Sequence, residues 1–267
     1  MTVVSGDNGI NEQINPDLRR RRLGRSIFVL PSLFTVGNIF CGYYAILATM
    51  NSNFNQASYA IGIAILLDML DGRIARLTNS STAFGLQLDS LADVISFGIA
   101  PSVLALVWGL SAADHRLAWT AAFTFTICGA MRLARFNVQA GNLKHFVGLP
   151  IPAGGGAIAA IVHFLGSPIA TPLGSNLMAA GVFFLAFLMV STIRYSSLKN
   201  LTLGKKSHLT ILIIALLVAL IVYFSKPTLL AIALAYSFSG PIARICSFLR
   251  RKKHGDELTI ANPAHHQ

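Results

Sequence analysis

Apolar runs of about 20 residues, each long enough at 1.5 Å per residue to cross a hydrocarbon core of roughly 30 Å, recur along this chain. Eight can be read: Leu30–Met50, Ala57–Leu77, Leu86–Leu110, Leu117–Arg135, Ile151–Ala170, Ser175–Arg194, Leu209–Phe224 and Thr228–Leu249. The fifth is the weakest, because Gly154, Gly155, Gly156 and two prolines dilute it. With 54% hydrophobic and 12% charged residues the chain has too little polar surface for a soluble globule. The expectation is an all-α, polytopic helical membrane protein with about eight transmembrane helices. Residues 1–29 would form a cytoplasmic N-terminal segment, 30–249 one membrane domain, and 250–267 a cytoplasmic polar tail, disordered from Gly255 onward.

Basic residues orient this arrangement. An even number of spans puts both ends on one side, together with Arg19–Arg22, Arg25, Arg73, Arg76, Arg132–Lys144, Arg194–Lys206 and Arg244–Lys253. Of the 21 Lys and Arg, only Arg116 and Lys226 fall opposite. That bias marks the shared side as cytoplasmic and predicts a bacterial-type inner-membrane protein with cytoplasmic termini. The net charge of +11 is thereby explained by topology and anionic headgroups, and no nucleic-acid partner need be invoked. The stretch "DLRRRRLGRSIFVLP" reads either as a short interfacial helix ending near Pro31 or as a solvated charge run. Cys41, Cys128 and Cys246 lack metal-ligand spacing, and His163, deep in the fifth run, reads as a hydrogen-bonded structural histidine. His265 and His266 in the tail make no metal site.

Four of the ten carboxylates, Asp68, Asp71, Asp89 and Asp93, stand inside apolar runs. At roughly 2.5–3.5 kcal/mol each, four intramembrane aspartates cost on the order of 10–14 kcal/mol, so something must offset them. Their spacing shows how. Asp68, Asp71, Gly72, Ala75 and Arg76 fall at i, i+3, i+4, i+7 and i+8, one stripe of the second helix. Gly85, Asp89 and Asp93 repeat at i+4 on the third. The two helices are antiparallel, joined by "TNSSTA", so Asp68 should lie level with Asp93 and Arg76 with Gly85, both stripes facing one cleft open to the cytoplasm.

Four carboxylates with only Arg76 nearby make a hard-oxygen site. Two divalent cations would cancel their charge, and Mg²⁺ or Mn²⁺ suits oxygen-only ligation better than Zn²⁺, which favours His or Cys. Gly72 and Gly85 admit two readings of equal weight: close helix packing, or room for a substrate's base and phosphates. Buried aspartates also mark ion or proton pathways in transporters. Such a pathway would spread carboxylates over several helices and depths, whereas here all four sit near one face of two adjacent spans, which favours a catalytic cleft.

The segment DMLDGRIARLTNSSTAFGLQLDSLAD matches in full the pattern DxxDGxxARx(8)GxxxDxxxD, and so resembles the CDP-alcohol phosphatidyltransferases. That resemblance implies a helical membrane enzyme, typically a homodimer, that displaces CMP from a CDP-linked lipid by an alcohol with the help of two divalent cations. Asp68, Asp71, Asp89 and Asp93 would be the metal-binding residues. Gly72, Ala75, Arg76 and Gly85 would line the CDP-lipid site, Arg76 against a phosphate.

"LPSLFTVGNIFCGYYA", "MRLARFNVQ" and "FVGLPIPAGGG" are similar to the membrane-integral phosphatidylserine synthases, over roughly residues 26 to 156. This narrower likeness implies CDP-diacylglycerol and L-serine as substrates, membrane lipids as surroundings, and Asp93 as the general base that takes the serine proton. Arg132 and Arg135, at i, i+3, would bind serine or phosphate, against the alternative that they are snorkelling topology anchors. Thr35, Asn38 and Gly42 form a polar stripe on the first span that either lines the same cleft, with Asn38 at the CDP-lipid, or serves helix packing. Glycerol 3-phosphate, inositol or choline is the alternative acceptor, because fold and core motif would be shared.

Overall fold

The computed structural model describes residues 16–77, 82–139, 148–193 and 224–260. Every regular element among them is helical: α1 (Pro16–Met50), α2 (Phe54–Leu77), α3 (Ala83–Asp93), α4 (Ala100–Gly109), α5 (His115–Gln139), α6 (Ile151–Leu165), α7 (Pro172–Val190) and α8 (Ser225–Ile260). A π-helical turn, Val94–Ile99, joins α3 and α4 into one continuous rod. The expected seventh run, apart from Phe224, lies outside the described residues, as do Lys144 and Arg194–Lys206.

Leu33–Met50, Ala83–Gly109, His115–Val138 and Pro172–Val190 are each long and apolar enough to cross a membrane. These correspond to four of the eight expected spans. α6 is shorter than expected: the run Ile151–Ala170 is helical only to Leu165, because Gly166 turns left-handed at φ 74° and Pro168 follows. The irregular stretch beyond it docks on α4, Ile169 N–H donating to the Trp108 carbonyl at 3.1 Å, so its backbone is satisfied within the protein. Two boundaries also differ. α1 continues past Pro31 in place of a short helix ending there, and α8 carries on to Ile260, so the first residues of the expected disordered tail are helical.

The distribution of side chains is that of a protein solvated by lipid. On α1, Leu33, Val36, Phe40, Tyr43, Leu47 and Met50 are exposed, while Thr35, Asn38, Ala45, Ala48 and Thr49 are buried. Large apolar groups point outward and small or polar ones inward, the reverse of a soluble helix, because helix pairs in lipid associate through close packing and hydrogen bonds. The protein is an integral membrane protein.

α1 packs along α2 more extensively than any other helix pair does. Their connection is a Schellman cap: Asn53 N–H donates to the Ala48 carbonyl at 2.8 Å and Ser52 N–H to Thr49 at 2.9 Å, with Ser52 at φ 58°. At the other end of α2, Thr82 caps α3, its hydroxyl accepting from Gly85 N–H at 2.9 Å.

α6 is the hub of the bundle, and its glycine triplet is the reason. A Cβ on Gly154 would collide with Met189 of α7, one on Gly155 would lie 2.8 Å from the Phe97 carbonyl of the π turn, and one on Gly156 would lie 2.9 Å from Ile65 of α2. Three neighbours thus approach three successive positions, and at Gly155, where the near atoms are backbone, only a residue without a side chain allows the approach. His163 of α6 is buried near Tyr59, ring centroids 4.8 Å apart, with its Nε2 3.2 Å from Ser225 Oγ of α8, matching the structural role expected for it.

Candidate active site

Asp68 reaches the site from α2, Asp89 and Asp93 from α3. The three offer carboxylate oxygens that all lie within 4.8 Å of one another. Asp68 and Asp89 are half-buried and Asp93 is 8% exposed. The antiparallel register expected between the helices therefore brings Asp68 level with Asp93. Asp71, one helical step of about 60° away from Asp68 around α2, is within electrostatic reach of Asp68 and Asp89. Its carboxylate turns toward α1 and accepts a hydrogen bond from the Thr35 hydroxyl.

Hard oxygen donors this close repel one another unless a cation or protons intervene. The donor set fits a divalent metal: three carboxylates with converging oxygens, a fourth carboxylate beside them, and, among the described residues, no thiol or imidazole in the cluster. Asp93 Oδ1 is buried beside the Asn38 side chain of α1.

The glycines of the motif are placed differently from each other. Gly72 is exposed on α2. Among the described residues, a Cβ on Gly85 would approach only Thr82 Oγ1, at 3.2 Å, its own helix cap. Ala75 and Arg76 continue the helical backbone of α2, and their side chains lie outside what the structure describes.

From α5, Arg132 turns inward, within electrostatic reach of Asp93 and of Tyr236 on α8, with its Nε buried and unpartnered. Arg135, one turn further, is exposed. From α1, Asn38 is completely buried beside Asp93, yet neither of its amide atoms has a hydrogen bond of ordinary geometry. Asn137 Nδ2 ties α5 to α3 through Ser90 Oγ at 2.9 Å. Ser96, Asn137 and Tyr236 are neighbours of the site that sequence reasoning missed. Each is a common residue in an unremarkable run, and Tyr236 and Ser96 carry no spacing signal that links them to the aspartates.

The family model for CDP-alcohol phosphatidyltransferases matches residues 28–193. The chain is 36% identical over 200 residues to a CDP-diacylglycerol–serine O-phosphatidyltransferase of Helicobacter pylori, covering 72% of this chain and 82% of that protein. It is 36% identical over 171 residues to the protein of that name from Bacillus subtilis, covering 64% and 92%. An archaetidylserine synthase of Methanothermobacter thermautotrophicus is 37% identical over 173 residues, covering 64% and 70%.

Proposed function

The chain belongs to the CDP-alcohol phosphatidyltransferase family, and from that membership we propose that it transfers the phosphatidyl group of CDP-diacylglycerol to L-serine, releasing phosphatidylserine and CMP. The observation that carries this reading is the convergence of Asp68, Asp89 and Asp93 in one cleft with Arg132. Its relatives named for serine transfer supply the acceptor.

Asp68, Asp71, Asp89 and Asp93 would hold two divalent cations, Mg²⁺ or Mn²⁺. When bound, these neutralise the pyrophosphate and stabilise charge on the departing phosphate. The chain's own residues do the rest. Gly85, with no other helix against it among the described residues, and exposed Gly72 leave room beside the carboxylates for the nucleotide end of the lipid. By the family motif, Ala75 and Arg76 would belong to the CDP-lipid site, Arg76 against a phosphate. The serine hydroxyl oxygen attacks the phosphorus that bears diacylglycerol, the bond from that phosphorus to the CMP phosphate oxygen breaks, and the hydroxyl proton passes to Asp93. Arg132 receives the serine carboxylate through two parallel hydrogen bonds, while exposed Arg135 meets phosphate at the headgroup level.

The enzyme works in the cytoplasmic membrane with this cleft facing the cytoplasm, as the distribution of Lys and Arg supports, and as a homodimer, as family resemblance implies. Incubating purified protein with CDP-diacylglycerol, Mn²⁺ or Mg²⁺ and a panel of alcohols tests the assignment. Phosphatidylserine and CMP in equal amounts are expected. A lipid product formed from glycerol 3-phosphate, inositol or choline in preference to serine would refute it.

A further inference from the structure

One wall of the site is built by an interlock between α1 and the π turn. Ser96 Oγ, buried, donates to the backbone carbonyl of Asn38 at 2.8 Å. In a regular helix that carbonyl already accepts from the N–H four residues on, at Gly42. Gly42 is where the approach is tightest: a Cβ there would lie 2.5 Å from Ser96 Oγ and 2.7 Å from Ser96 Cα. The missing side chain admits Ser96 to the carbonyl. The π turn begins immediately after Asp93, so the segment clamped onto α1 is the one that continues from the aspartate. Asn38 is 0% exposed and lies close enough to Asp93 for its side chain to act as a donor to the carboxylate, although neither its amide atoms nor Asp93 Oδ1 makes a hydrogen bond of ordinary geometry. An amide donor and a carboxylate acceptor thus face each other across a contact that Ser96 and Gly42 fix.

We propose that Asn38 is a positioning residue for Asp93, held in place by Ser96 through the close approach that Gly42 permits. A carboxylate that rotates freely presents either oxygen to the acceptor. An amide N–H on one oxygen leaves the other for the serine proton. This role rests on Asp93 being the base, and it is distinct from contact of Asn38 with the CDP-lipid. Lipid contact would appear in KM for CDP-diacylglycerol, whereas positioning of the base appears in kcat.

The test is a double-mutant cycle on the full chain in detergent, with CDP-diacylglycerol, serine and Mn²⁺. Asn38→Ala is expected to lower kcat about tenfold with KM for CDP-diacylglycerol within about twofold of wild type. Ser96→Ala, which inserts nothing, should lower kcat about threefold alone but less than 1.5-fold in the Asn38→Ala background, because it acts through Asn38. Gly42→Ala should approach the Asn38→Ala loss; should it fail to fold, the Ser96 arm of the cycle decides. Additive losses would overturn the proposal, as would a raised KM for CDP-diacylglycerol at unchanged kcat. Mn²⁺ affinity, measured by titration, should stay within about threefold in Asn38→Ala, and a larger fall would make Asn38 a metal ligand and overturn its positioning role. Should Asp93→Asn keep a tenth or more of wild-type turnover, the base reading fails first and takes the proposal with it; additivity with Asp93→Asn inactive defeats the proposal alone.

Discussion

The Thr35 hydroxyl of α1 donates a hydrogen bond to the carboxylate of Asp71 on α2, and both side chains are buried. Asp71 is therefore the one aspartate of the motif that is tied to a neighbouring helix by a side-chain hydroxyl among the described residues. The bond joins the two helices that pack most extensively among the described residues, so that contact also fixes one wall of the carboxylate cluster.

Replacing Thr35 with Val keeps the shape and removes the donor. A buried carboxylate oxygen left without its partner costs about 1–3 kcal/mol, more than the bond itself contributes. Thr35→Val is expected to lower the thermal unfolding temperature in detergent and to reduce turnover. An unchanged unfolding temperature would mean that Asp71 finds another donor at no cost.

Metal dependence separates ligands from structural charges. Chelation with EDTA is expected to abolish activity, and Mn²⁺ or Mg²⁺ to restore it. Asp89→Asn or Asp93→Asn should remove nearly all turnover while leaving a folded protein, because an amide fills the space but supplies neither charge nor basicity. Full activity in EDTA would exclude the metal-assisted mechanism.

Much of this site was legible in the sequence because helical periodicity is rigid. Given two antiparallel helices and a short turn, i+3 and i+4 spacing alone brings Asp68 opposite Asp93, and their oxygens do meet. The same periodicity could not show that Asp71 turns to Thr35, since a difference of about 60° on a helix face decides which neighbour a side chain meets. The π turn was invisible for another reason. "VISFGIAP" carries no signal for an extra residue per turn; what holds that turn is contact with Gly42 and Gly155 on helices distant in sequence. Glycines that looked like a weakness in the fifth span are the positions where its neighbours approach, a property of tertiary packing alone.

Orientation rests on the bias of Lys and Arg. Reporter fusions at Gln267 and after Lys206 should report the cytoplasm, and fusions near Asn53, in the turn between α1 and α2, and Asp114, before α5, the opposite side. An external carboxyl terminus would break the even span count and turn the cleft away from cytoplasmic serine.

In the proposed mechanism, acceptor choice turns on Arg132 and Arg135. Serine differs from inositol, choline and glycerol 3-phosphate in carrying a carboxylate, and a planar guanidinium holds a carboxylate by two hydrogen bonds in a way that the point charge of lysine cannot imitate. Arg132 faces Asp93 and has an unpartnered buried Nε, whereas Arg135 is exposed. Arg132→Lys should therefore raise the apparent KM for serine at least tenfold, corresponding to about 1.4 kcal/mol, with a much smaller change in the KM for CDP-diacylglycerol. Arg135→Lys should show the reverse preference. Should both variants keep wild-type kinetics for both substrates, the two arginines anchor the helix at the membrane surface and serine is recognised elsewhere in the cleft.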